Sequence, residues 1–171
     1  MRVIAAEIEI EAPHSVIWEV LSDLASYPDW NPFLTSATGD VVEGARVEVF
    51  IKPPRARGTT INPQVVLVEE GRGFSWRSNM LFPGLFDTEH YFIIDPIDDD
   101  RCRFVQGEEI TGLLVIPILC LIGGGTRRGF ERMNEALKAR CEALLAPPPD
   151  PGESSSCDVS EEQAGHGEIS S

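Results

Sequence analysis

TRRGFERMNEALKARCEALL, residues 126–145, decides how the rest of the chain is read. Phe130, Met133, Leu137, Cys141, Leu144 and Leu145 recur at spacings of three, four and one, and charged residues fill the positions between them. That pattern predicts one long helix with one apolar stripe. At 1.5 Å per residue it runs about 30 Å, so the stripe requires a broad apolar partner surface. The residues before it read mostly as strands, which predicts a sheet wrapped around a single C-terminal helix.

The first strand follows from residues 2–11, where Val3, Ala6, Ile8 and Ile10 oppose Glu7, Glu9 and Glu11. A helix is predicted over 13–24, opened by Pro13 and closed near Asp23, with Val16, Ile17, Val20, Leu21 and Leu24 at helical spacing. Pro28 and Pro32 forbid its continuation, so residues 27–33 read as a compact aromatic turn. Strand runs are expected at 35–42, 45–51, 59–69, 74–81, 87–95 and 102–111, each ended by short Gly, Pro or Asp turns that suit an antiparallel meander. Residues 1–146 thus form one domain. Prolines at 147–149 stop the last helix, and residues 147–171 read as a disordered acidic tail.

The length, 171 residues, suits one domain, and 42% hydrophobic with 25% charged residues is a globular composition. The tail supplies six of the fourteen net negative charges. So acidic a surface repels phosphate backbones, which argues against nucleic acid as a partner. The longest apolar run, residues 113–122, is ten residues with Pro117 inside it, too short to span a bilayer. Followed by Gly123, Gly124 and Gly125, it reads either as a gating loop or broken helix, or as an extension of the long helix. Glutamates near the N-terminus argue against a signal peptide, so a cytoplasmic location is expected. Cys102, Cys120, Cys141 and Cys157 and the three histidines are scattered, which points to free thiols without a metal site, and no cofactor motif is present.

APHSVIWEVLSDLASYPDWNPF, FSWRS, the Pro-Gly-Leu-Phe turn before TEHYF, FVQGEEITGLL and FERMNEALKARCEAL together resemble the START and pollen-allergen-type helix-grip superfamily. The likeness is strongest to its polyketide cyclase/dehydrase and lipid-transport (SRPBCC) branch and covers residues 3–145. The resemblance implies an α+β helix-grip fold: a curved seven-stranded antiparallel sheet around the C-terminal helix, with a hydrophobic cavity between them. It leaves function open, because the superfamily hosts carriers, cyclases and chaperone cofactors on one scaffold.

Strand parity supplies a list of inward residues. Phe74, Trp76, Ser78 and Met80 share one face, His90 and Phe92 the matching face of the next strand, and Phe104, Gln106, Glu108 and Ile110 that of the last. A hairpin centred near Leu85 sets Phe92 beside Trp76 and His90 beside Ser78, and folding back at Asp98 and Asp99 sets Phe104 near Phe92 and Gln106 near His90. Phe130, Met133 and Leu137 are expected to touch a ligand, Cys141 to Leu145 to seal the closed end, and Trp30 and Phe33 either to cap the cavity or to plug the core. The leading expectation is binding or transport of a hydrophobic small molecule, lipid-like or aromatic. The alternative is a cyclase or dehydratase using His90 and Glu108 as acid and base, since a carboxyl out of water has a raised pKa. A further alternative is a protein-interaction role through the outer sheet face.

Overall fold

A computed structural model of the chain describes residues 1–54, 57–79 and 82–147, with the backbone alone over 117–124. The elements run β1 (Arg2–Ile10), α1 (His14–Ser22), α2 (Tyr27–Trp30), β2 (Leu34–Thr38), β3 (Glu48–Ile51), β4 (Thr59–Ile61), β5 (Gln64–Glu69), β6 (Gly73–Asn79), β7 (Asp87–Pro96), β8 (Cys102–Thr111) and α3 (Val115–Leu145). A five-stranded antiparallel sheet has the order β1-β8-β7-β6-β5, and a second sheet the order β2-β3-β4. The expected seven strands become eight because Asn62 and Pro63 interrupt the run 59–69, proline having no N–H to give to a ladder. The sheets stay joined: Arg46 bridges Gln64, Val47 N donates to Pro63 O at 3.1 Å and Val65 N to Ala45 O at 2.9 Å.

In β1, Ile4, Ala6, Ile8 and Ile10 turn inward, and Val3, expected inside, is exposed beside the glutamates. α1 buries Ile17, Val20 and Leu21 and ends at Asp23. Residues 27–30, read as a turn, instead form the short helix α2, with Pro28 in its first turn, where the missing N–H costs nothing. The Tyr27 hydroxyl donates to Leu21 O at 2.8 Å and ties α2 back to α1.

α3 starts at Val115 and runs for 31 residues through Pro117 and the glycine triplet, the second of the two readings of this run. Pro117 falls in its first turn, so no intrahelical hydrogen bond is lost. The gating-loop reading of residues 113–122 therefore gives way to a helix extension. α3 lies against β1, β8 and α1. Its lower half is latched to the end of β1, with Lys138 Nζ donating to Glu9 O at 2.8 Å and Glu11 N donating to Glu142 Oε1 at 3.0 Å. The stripe is buried at Phe130, Met133, Leu137 and Cys141, but Leu144 and Leu145 are exposed and do not seal the end of the core. The acidic tail beyond Pro147 lies outside the described residues.

Candidate functional site

The inner face of the main sheet is built from cross-strand rows. One row sets Ile4 opposite Glu108, Glu108 opposite His90, His90 opposite Trp76 and Trp76 opposite Val65. The adjoining row runs Ala6, Gln106, Phe92, Phe74 and Val68, and Ser78, Thr88 and Ile110 form the row on the other side. The expected faces are those of the structure, but the register is not. Phe92 pairs with Phe74 rather than Trp76, His90 with Trp76 rather than Ser78, and Phe104 with Ile94 rather than Phe92. The β6–β7 turn centres on Pro83 and the β7–β8 turn on Asp99, so each pairing moves by two residues and keeps its face.

His90 sits in an aromatic box. Its ring centroid is 4.5 Å from Phe92, 4.9 Å from Phe130 and 5.8 Å from Trp76. Burial pushes its pKa down to about 3, against a smaller upward pull from the Gln106 side chain, so the imidazole is neutral at pH 7. Glu108, half-buried and next along the row, is pushed the other way, to about 7, by loss of solvent, with a hydrogen bond from Thr88 opposing the shift. Neither group is a cause of the other's shift.

Gln106 reaches from β8 to α3. Its Nε2 donates to Phe130 O at 3.2 Å and, in a short contact, to Asn134 Oδ1. Asn134 occupies the helix stripe, four residues after Phe130 and three before Leu137, a polar residue at a core position that the hydrophobic spacing passed over. Three deeply buried atoms in this cluster, His90 Nε2, Gln106 Oε1 and Asn134 Nδ2, have no partner at full hydrogen-bond geometry among the described residues, although the His90 and Gln106 side chains lie close enough for a weak hydrogen bond between them to raise the His90 pKa. Each such atom costs about 1–3 kcal/mol relative to a satisfied one.

Most of the expected ligand-contacting residues are core. Phe74, Trp76, Phe92, Phe104, Gln106, Phe130, Met133 and Leu137 are at most 2% exposed. From Phe130 to Leu137 the inner side of α3 is therefore closed to solvent. Phe33 plugs the core: its ring packs edge-on to Phe130 at 5.6 Å and lies where a Cβ on Gly129 would be. Trp30 packs against the rim of the core, edge-on to Tyr27 at 5.1 Å with Nε1 donating to Ser26 Oγ at 3.3 Å. Ser78 is half-buried on the inner face, and Met80 lies outside the described residues. Two shallow grooves open on the surface among the described residues, one of about 320 Å³ on the outer face between Leu67, Ser75, Glu89, Tyr91 and Ile93, and one of about 370 Å³ where Ala5, Glu7 and Val105 meet Arg127 and Glu131 of α3.

The long helix laid against an antiparallel sheet, with a polar cluster where they meet, is a helix-grip fold. The chain belongs to the polyketide cyclase / dehydrase and lipid transport family, which it matches over residues 1–144. Its fold is similar to that of the ZhuI aromatase/cyclase of a Streptomyces species, with a TM-score of 0.69, 15% identity, and coverage of 85% of this chain and 96% of that one. It is also similar to a START superfamily protein of Mycobacterium smegmatis, with a TM-score of 0.63, 17% identity and coverage of 83% and 98%. Norcoclaurine synthase of Thalictrum flavum aligns with a TM-score of 0.65 and 17% identity over 85% of this chain and 96% of that one. At these identities the likeness establishes the fold alone. No curated protein matches the sequence. No helix among the described residues is long and apolar enough to cross a membrane.

Proposed function

We propose that the protein binds a small hydrophobic molecule, lipid-like or aromatic, carrying one hydroxyl group, at the His90–Glu108 end of the sheet–helix interface. The observation that carries this reading is the set of unpartnered atoms on His90, Gln106 and Asn134 inside an apolar enclosure. A hydroxyl both donates and accepts, so it suits an acceptor at Gln106 Oε1 and a donor at Asn134 Nδ2, and it recovers the cost of leaving them bare. Membership of a family described by cyclases, dehydrases and lipid transport supports the apolar character of the ligand. Entry is by way of half-buried Glu108, Thr88 and Ser78, because Phe130, Met133 and Leu137 close the other route. Fluorescence titration with 2-naphthol tests this. Saturable binding that a Gln106→Leu, Asn134→Leu variant weakens about tenfold or more supports it; equal binding by the variant contradicts it.

A second reading, a cyclase or dehydratase, draws on Glu108 alone. A carboxyl held near pH 7 exchanges protons readily in neutral solution and suits enolisation or dehydration of a carbonyl compound. Neutral His90 then serves as a hydrogen-bonding neighbour. A Glu108→Gln variant that keeps full turnover on a substrate of the wild-type protein excludes this chemistry.

A further inference from the structure

Where the β6–β7 turn meets the start of α3, two segments are pinned together. Leu113 N donates to Gly84 O at 3.2 Å, Leu114 N to Leu85 O at 3.0 Å, and Gly84 N to Asp87 Oδ2 at 2.7 Å. Beneath them Phe86, Ile110 and Val115 form a small buried cluster separate from the main core. Above it the surface is apolar and bare: Phe82 is 72% exposed, Leu113 85% and Ile116 68%. The sequence carries no charged residue from Met80 to Phe86 or from Gly112 to Thr126. Apolar residues scattered singly over a surface need no explanation, but several on one rigid corner mark an interaction site.

The geometry points to a neutral lipid surface as the occupant: the protein docks on zwitterionic bilayers by inserting Phe82, Leu113 and Ile116 into the headgroup boundary. Charge decides against the other candidates. The tail, residues 148–171, offers only Val159 and Ile169 as large apolar groups and cannot cover the patch. A second copy brings another net −14, so self-association through this face sets two strongly acidic bodies against each other. Anionic lipid is repelled for the same reason, and the patch has no lysine or arginine to bind it. A corner whose one acidic side chain, Asp87, is engaged by the Gly84 N–H has chiefly apolar burial to gain, which a zwitterionic bilayer provides. This docking does not depend on an interior ligand.

Flotation of the full chain with phosphatidylcholine vesicles is the test. The protein floats, the fraction bound is unchanged at high salt, and added phosphatidylserine lowers it. A Phe82→Ser, Leu113→Ser variant, altered only at exposed positions, keeps the wild-type melting curve and partitions about tenfold less or weaker still. A Leu113→Trp variant shows a blue-shifted emission on the same vesicles. Failure to float with no shift at Leu113→Trp, or flotation that survives the double substitution, overturns the proposal. So does a dimer in sedimentation equilibrium that the double substitution dissociates, because the patch is then an interface between copies.

Discussion

His90 and Glu108 stand directly opposite each other across the β7–β8 ladder, and burial moves their pKa values toward each other's usual territory. The base becomes hard to protonate and the acid hard to ionise, so at pH 7 an imidazole without charge faces a carboxyl that exchanges its proton. Each shift is a linkage between protonation and folding, and the two have opposite signs.

For His90 the folded-state pKa, about 3, lies below the ordinary 6.5. The unfolded chain binds the extra proton between those values, so stability present above pH 6.5 is lost as the pH falls toward 3. Urea unfolding from pH 7 to pH 4 shows wild type losing about 3 kcal/mol to this group, and a His90→Gln variant losing that much less.

For Glu108 the folded-state pKa, about 7, lies above the ordinary 4.5. Here the folded chain holds the extra proton, and stability present below pH 4.5 is lost as the pH rises through 7. In Glu108→Gln that decline disappears. Melting temperatures at pH 5 and pH 8 read it directly, with the variant gaining on wild type at the higher pH.

Gln106 and Asn134 are coupled through the hydrogen bond between their amides. Asn134→Leu takes one of two acceptors from Gln106 Nε2, which keeps Phe130 O, and also removes the unpaired Nδ2, so the two effects partly offset and the net loss is about 1 kcal/mol. Adding Gln106→Leu removes the remaining amide and restores part of the loss, so a double-mutant cycle gives a cost smaller than the sum of the singles.

Gly129 is glycine because the Phe33 ring occupies the space of its Cβ. Gly129→Ala pushes that ring off Phe130 and costs about 1–3 kcal/mol by overpacking. Phe33→Leu in the same chain recovers stability by making room. Denaturant midpoints of the two variants decide it.

The fold was legible because two periodicities survive in the sequence, the alternation of β1 and the stripe of α3. Parity also placed Phe74, Trp76, His90, Phe92, Phe104 and Gln106 on the inner face. Register was not legible, because moving a turn centre by one residue shifts every cross-strand pair by two without changing faces, and the hydrophobic pattern is blind to that. The sequence leaves the start of α3 open between a gating loop and a helix extension, because Pro117 reads as a helix breaker, although in a first turn it breaks nothing. Asn134 was missed for a different reason: a search for apolar spacing discards a polar residue at a stripe position, and that anomaly was the available signal. The packing of Phe33 and of the residues from Phe130 to Leu137 depends on side-chain volumes across three elements, which no local pattern encodes.

The central claim is that the unpaired polar atoms around His90 receive the polar end of an apolar ligand. Nitrogen NMR of the ring-labelled histidines during titration with 2-naphthol tests it most directly. The account predicts that the His90 Nε2 signal moves in a saturable way while that of exposed His14 stays fixed. A His90 signal that does not move at naphthol concentrations that saturate the fluorescence change would contradict it.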